Sequence, residues 1–296
     1  MNDKKALIAD LSLLIVAAIW GSSFVVTKST LDHITPFYLL AFRFIIATIL
    51  IGLVSLKHLK KAKISDIKAG LVIGITMLLG FLLQTIGLMN TTVGVNSFIV
   101  SANVVMVPFF YWLLTRRRPD GYEIFGAIMC FVGVGVLSLD GNLRLGFGEI
   151  LSFISAFFFA LQIVAVGHYA RESDVYVITT VQMAFVAVSA LILASIFEPQ
   201  ITTFNTDMAL PIIYLAVFSS MIAFLVQNIA QAHTSSTHAA IIFSTEALFG
   251  SIMGVIFLKE TITIKFLIGC MAILISVLIS EVKPNPSKLK RQKTPA

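Results

Sequence analysis

Two ionisable side chains sit deep inside apolar runs: Arg43 in "LLAFRFIIATIL" and Glu246 in "IIFSTEALFGSIMG". A charge at mid-bilayer costs at least about 2.5–3.5 kcal/mol on insertion scales. A partner, a water-filled cavity or a bound solute must offset that cost. At a rise of about 1.5 Å per residue, Arg43 lies about 10 Å from one edge of its run and Glu246 about 14 Å from the opposite edge of its own. In a core of about 30 Å their backbones then differ in depth by about 6 Å. On neighbouring helices the guanidinium can span that gap. The pair is then either an ion pair that holds the structure together or part of a translocation site, and the residues leave both open.

Uncharged polar groups accompany them. Gln84 and Gln227 each stand alone in an apolar run, and they serve either as a helix–helix clasp or as solute contacts. Asn96 and Asn103 are seven apart and share a helical face, which Phe110 continues. Trp20 lies with Ser23 and Thr27, Phe159 with Ser155 and Gln162, and Glu246 with Phe243, Phe249 and Met253. Aromatic and polar groups mixed on one stripe suit a cavity for an amphiphilic molecule. Phe157 and Phe158 are read as packing groups. The candidate substrate-binding or coupling residues are therefore Glu246, Arg43, Trp20, Phe159, Gln84, Gln227, Asn103 and Gln162, with Glu246 also a candidate proton carrier. A guanidinium grips a carboxylate through two parallel hydrogen bonds, and a carboxylate with an aromatic face holds an ammonium. A zwitterion with an apolar side chain satisfies all of these groups. A hydrophobic organic cation satisfies the aromatics and Glu246 only. There is no metal-ligand cluster, phosphate-binding glycine loop or nucleophile–base pattern, so no cofactor is expected. His233 and His238 read as solvated interfacial groups.

The elements that must position these groups follow from composition. Of 296 residues 58% are hydrophobic and only 12% charged, with a mean hydropathy of +0.96. Soluble domains average roughly 45–50% apolar and about 25% charged residues, so lipid must solvate much of this surface. Ten runs have about the length of a spanning helix: Leu11–Thr27, Pro36–Leu56, Ala69–Met89, Val95–Leu114, Tyr122–Leu139, Glu149–His168, Val175–Phe197, Ala209–Ala232, Thr237–Leu258 and Ile262–Ser280. Turn residues separate several of them, at Arg118-Pro119-Asp120, Asp140-Gly141-Asn142 and Glu198-Pro199. The first run is read as a retained span, because Trp20 and Lys28 stand where a signal peptide would be cleaved. Pro108 predicts a kink in the fourth. Cys130 and Cys270 read as buried small hydrophobes.

Basic residues collect on the cytoplasmic side of short loops. With the N-terminus inside, sixteen of the 21 Lys and Arg fall inside, and Lys28, Arg144, Lys259 and Lys265 fall outside. That predicts an N-in, C-in chain. It also accounts for the net charge of +6 without nucleic-acid binding, and the basic tail 283–296 reads as a topology anchor at anionic headgroups.

The chain is written twice. "FLLQTIGLMNTT" at 81–92 and "FLVQNIAQAHTS" at 224–235 share five of twelve positions at an offset of 143, where Ser101 also matches Ser244, Asn103 matches Glu246, and Gly126 matches Gly269. At an offset of 139, Trp20-Gly21 matches Phe159-Ala160, Ser23 matches Gln162, and Arg43 matches Gln182. Copies five spans apart point in opposite directions. The expectation is an all-α integral membrane protein, two inverted five-helix repeats over 7–140 and 146–282, working around a site near the midplane. Gly70-x-x-x-Gly74 and Gly250-x-x-x-Gly254 let backbones approach, and are read as packing within a monomer rather than as dimer contacts.

"AAIWGSSFVVTK", Arg43-Phe44, "VPFFYWLLTRRRP" and "STEALFGSIMGVIFLKE", in this order, resemble the EamA-type transporters of the drug/metabolite transporter superfamily. The resemblance covers residues 7–282. It implies a ten-helix secondary transporter of the cell membrane (bacterial inner or plasma membrane), often an exporter, for amino acids, sugars, nucleotide sugars, drugs or other metabolites. Many relatives carry Pro where this chain has Ala247, which implies a straighter ninth span here. An intramembrane enzyme would want clustered ionisable groups at one interface, and an anchor subunit has no need of an inverted repeat. Both rank below a transporter, with a multidrug or organic-cation exporter as the alternative to an amino-acid-like solute.

Overall fold

The computed structural model describes residues 3–116, 118–138, 146–201, 206–233 and 236–281. The Asp140-Gly141-Asn142 turn, Arg117, Arg144 and the 283–296 tail lie outside the described residues. The described residues are helical, without strands. In chain order the helices are α1 (Asp3–Thr30), α2 (Pro36–Val54), the single turn α3 (Leu56–Leu59), α4 (Ile64–Met89), α5 (Val93–Ser101), α6 (Asn103–Thr115), α7 (Gly121–Ser138), α8 (Phe147–Tyr169), α9 (Val175–Phe197), α10 (Thr206–Tyr214), α11 (Ala223–Gln231), α12 (Ser236–Ser244), α13 (Glu246–Leu258) and α14 (Ile264–Glu281), with a π-helical segment, Leu215–Ile222, joining α10 to α11. Eight stretches are long and apolar enough to cross a membrane. Two further apolar helices, over Gly121–Leu137 and Ile264–Ile279, are shorter and pack against each other along their length. They correspond to the fifth and tenth expected runs.

Two of the expected continuous spans are broken. Val93–Thr115 divides at Ala102 into α5 and α6, and Ser236–Leu258 divides at Thr245 into α12 and α13. At both breaks the amide bonds back three residues, Ala102 to Ile99 and Thr245 to Ile242, at 3.1 and 3.2 Å. The fourth span's break lies six residues before Pro108, which sits inside α6. The ninth span, expected to be straighter, is interrupted beside Ala247 even though proline is absent there. Ala102 and Thr245 are themselves 143 apart, so the interruption repeats with the sequence.

The most extensive helix pairs each join a helix of residues 3–138 to one of 146–281: α7 with α14, α4 with α8 and α9, α2 with α9, and α1 and α5 with α13. The two halves interdigitate. Glycines permit the closest crossings. A Cβ on Gly70 would meet Val181 Cβ at 2.6 Å, and one on Gly74 would meet the Gln182 Cα at 3.2 Å, so this small-residue pattern is used inside the chain. Gly250 likewise faces Ser97 of α5. Helix ends are capped across the same divide. The Glu198 carboxylate accepts from the Phe37 and Tyr38 amides and from the Thr35 hydroxyl, at 2.9, 3.0 and 2.6 Å, and the Glu260 carboxylate accepts from the Val93 and Gly94 amides, at 2.6 and 3.0 Å. Each satisfies amides that the first turn of a helix cannot pair internally. The exposed His238 meets Asp10 at 2.8 Å, a contact across the halves.

Candidate functional site

A narrow cavity of about 50 Å³ lies among α1, α2, α4, α5, α6, α8, α11, α12 and α13. All eight candidate residues line it: Trp20, Arg43, Gln84, Asn103, Phe159, Gln162, Gln227 and Glu246. The rest of the lining is Ser23, Phe24, Phe81, Val100, Ile163, Phe224 and Phe243.

Fourteen of the fifteen lining residues fall into pairs at the two repeat offsets. Trp20 pairs with Phe159, Ser23 with Gln162, Phe24 with Ile163, Phe81 with Phe224, Gln84 with Gln227, Val100 with Phe243, and Asn103 with Glu246. Arg43 is the fifteenth. Its counterpart Gln182 is fully buried elsewhere, beside Gly74, and neither atom of its amide has a protein hydrogen-bond partner. The wall is thus symmetric in sequence position, and both charges break that symmetry.

Arg43 is buried and gripped by the π-helical segment. Its Nε donates to Ser220 Oγ at 2.6 Å, and its Nη2 donates to Ser219 Oγ at 3.0 Å and to the Ser219 carbonyl at 3.4 Å. The carbon of its guanidinium lies 4.7 Å from the Phe81 ring centroid and 5.2 Å from that of Phe44. The Ser219 carbonyl also accepts from Trp20 Nε1 at 3.0 Å. Turns wound this way recur at functional sites. Here one positions both a cation and an aromatic wall. Sequence reasoning missed this segment. Its only signal was Ser219-Ser220 in an apolar run.

The ion pair expected as one possibility is not formed. Arg43 and Glu246 do not come within 4 Å of each other, whereas His58–Asp174 and His238–Asp10 do make such contacts. Glu246 Oε1 accepts from the Ser101 hydroxyl at 3.5 Å. Arg43 and Glu246 therefore face one cavity from different walls, each held by hydroxyls. Asn103 gives its Nδ2 to the Val100 carbonyl at 2.9 Å and leaves Oδ1 without a protein donor. The Glu246 carboxylate and this amide oxygen, one at each helix break, are acceptors suited to an ammonium or hydroxyl donor.

The glutamines divide differently from their sequence pairing. Gln227 exchanges hydrogen bonds with Gln162 at 3.3 and 3.4 Å and donates to Gln231 at 3.0 Å. The clasp therefore joins α8 to α11, and Gln84 takes no part in it. Asn96 does not share the cavity face of Asn103. The break at Ala102 rotates it away, and its Nδ2 donates to Ser152 Oγ of α8 at 2.7 Å. Phe110 stacks edge-on with Phe157, 4.9 Å between centroids, outside the cavity.

The EamA-like transporter family matches twice, over residues 7–139 and 146–281. An uncharacterized transporter of Archaeoglobus fulgidus is 35% identical over 94% of this chain and 87% of its own. An uncharacterized transporter of Bacillus subtilis is 24% identical over 94% and 93%, and a chloroplastic WAT1-related protein of Arabidopsis thaliana is 24% identical over 88% of this chain and 66% of its own. One solved crystal structure, 16% identical, superposes with a TM-score of 0.68 over 97% of this chain and 99% of that one, a likeness of fold alone. With two matched repeats, eight membrane-length apolar stretches and a cavity of mixed aromatic and polar lining among them, this chain belongs to the EamA-like transporter family and is a multi-pass membrane transporter.

Proposed function

We propose that the protein is a secondary transporter of ten spans in two inverted halves, residues 7–140 and 146–282, with both termini in the cytoplasm of a cell whose membrane it exports through. The solute is a small zwitterion with an apolar side chain, an amino acid or close relative. The observation that carries this reading is the pairing of the cavity wall with two unpaired opposite charges, Arg43 and Glu246, on it. Related halves rocking about a midplane site are how inverted-repeat transporters alternate access. Arg43 receives the carboxylate, Glu246 with Asn103 Oδ1 receives the ammonium, and the Trp20, Phe81, Phe159, Phe224 and Phe243 rings receive the side chain. A proton is the coupling ion, carried on Glu246. The space now left in the cavity suits water-sized molecules, so the solute enters as the walls part.

The aromatic rings also support a second reading, export of a lipophilic organic cation, against which Arg43 stands. Efflux from proteoliposomes loaded with labelled amino acids or with a lipophilic amine separates the two. We expect amino-acid efflux from wild type and at least a tenfold loss in Arg43→Gln, since about 1.4 kcal/mol of lost binding is a factor of ten. Amine efflux alone, accelerated by Arg43→Gln, would replace the zwitterion by the cation. Topology has its own test. A cysteine introduced at Asn90 should react with an impermeant reagent from outside and one at Lys60 only from inside; reaction of both from one side rules out the inverted arrangement.

A further inference from the structure

The central cavity continues along one pair of helices. A second, narrower cavity is lined by Ser23, Phe24 and Thr27 of α1, by Phe81, Gln84, Thr85 and Leu88 of α4, and by Arg43, and it shares five of these residues with the first. On α1 the sequence Trp20, Ser23, Phe24, Thr27 is one helical face, and on α4 so is Phe81, Gln84, Thr85, Leu88. Beyond it a wide, solvent-open vestibule is lined by Lys28, Met89, Asn90, Thr91 and Glu149, among others. Lys28 and Met89 follow directly on Thr27 and Leu88. Only the end of this seam is tied shut. Lys28 Nζ reaches from α1 to the end of α4 and donates to the carbonyls of Leu88, Met89 and Thr91 at 2.6, 3.1 and 3.0 Å. The first two are carbonyls that the end of α4 leaves without amide partners, and a cation is favoured beside them. No carboxylate of a described residue lies within 4 Å of the ammonium to hold it elsewhere.

We infer that the seam between α1 and α4 is the passage between the central cavity and the vestibule, and that Lys28 is the latch closing it. The passage has hydroxyl and amide groups on both walls, from Ser23, Thr27, Gln84 and Thr85, which can hydrate or hand on a polar solute. The latch has no covalent component and no carboxylate in direct contact, and the charges of Glu260 and Asp32 act on the ammonium from farther off. It opens by exchanging three carbonyl acceptors for water in the vestibule, so a small relative movement of α1 and α4 suffices. The inference rests on the transporter reading for its purpose but not for its geometry.

The test uses the full chain in sealed proteoliposomes, with Cys130 and Cys270 replaced by Ala and a single reporter, Thr85→Cys. Thr85 is now buried, 2% exposed. An impermeant methanethiosulfonate added on the Lys28 side should label it slowly, and Lys28→Met should raise that rate at least tenfold. Lys28→Arg, which keeps the donors, should leave it within about twofold. If Lys28→Met does not fold, Lys28→Gln, which keeps hydrogen-bond donors at shorter reach and without charge, serves in its place with the same expectation. Labelled Thr85→Cys should lose efflux at least tenfold while the Cys-free parent retains it, and reductant should restore it. A labelling rate indifferent to Lys28, or full efflux with the label in place, overturns the passage. A parent that moves no solute while the Lys28 dependence of labelling holds counts against the proposed function and leaves the latch standing.

Discussion

Glu246→Gln should insert and fold like wild type and lose at least tenfold in efflux. The side chain is buried, 6% exposed, with the Ser101 hydroxyl beside it and no cation within 4 Å among the described residues. Breaking a buried ion pair leaves an uncompensated charge and costs about 3–5 kcal/mol. There is no such pair to break here. Gln has nearly the same shape and still offers an oxygen and a donor for Ser101, so the melting temperature should stay level or rise. What Gln cannot do is release a proton or carry a negative charge to an ammonium. Stability and transport therefore separate in this one variant. A large drop in melting temperature would mean that Glu246 is a structural ion, paired in another conformation. Unchanged efflux at unchanged stability would remove the carboxylate from the mechanism.

Gly21→Val, next to the cavity-lining Trp20, should be strongly damaging. Gly21 lets α1 lie directly on α13, and a Cβ there would stand 2.8 Å from the Glu246 carbonyl and 2.9 Å from the Gly250 amide nitrogen. Both are backbone atoms, so relief requires the helices to part. Overpacking a tight site costs about 1–3 kcal/mol and occasionally more, and the displacement falls at the residue that presents Glu246. Efflux should fall at least tenfold, and detergent-solubilised protein should melt well below wild type. Gly52→Ala is the matched control, because a Cβ there meets nothing within 4 Å. Ala replaces Gly in a helix with a gain of about 0.8–1 kcal/mol in propensity, so this variant should be neutral or slightly stabilised. Equal behaviour of the two would show that close approach at Gly21 is not limiting.

The identity of the cavity residues was legible in the sequence because polar and charged groups in apolar runs have few places to go. Burial in lipid is expensive, and the alternative is a shared interior. All eight candidates converge on one cavity for that reason. The repeat offsets carried more than expected: Phe81 and Phe224, the first letters of the duplicated stretch, face the cavity beside Gln84 and Gln227. Helix positions were legible too, since a run of about 20 apolar residues has no other stable form in a bilayer than a helix.

Partners were not legible. Depth along a helix can be counted at about 1.5 Å per residue, and it placed Arg43 and Glu246 close enough to pair. Pairing depends on which helices are neighbours and how each is rotated. The π-helical turn at Leu215–Ile222 set Ser219 and Ser220 against Arg43, and no residue pattern announces a wider winding of an apolar helix. The breaks at Ala102 and Thr245 rotated Asn96 away from Asn103 and set Glu246 at the start of its own helix, although neither break contains a proline or glycine. Periodicity assumes one unbroken helix, so it fails wherever neighbouring helices impose an interruption. The sequence alone determined the class of protein, its duplication and which side chains share the interior. The tertiary structure alone decided which of them touch, because hydrogen bonds act over about 3 Å and only packing fixes distances that finely.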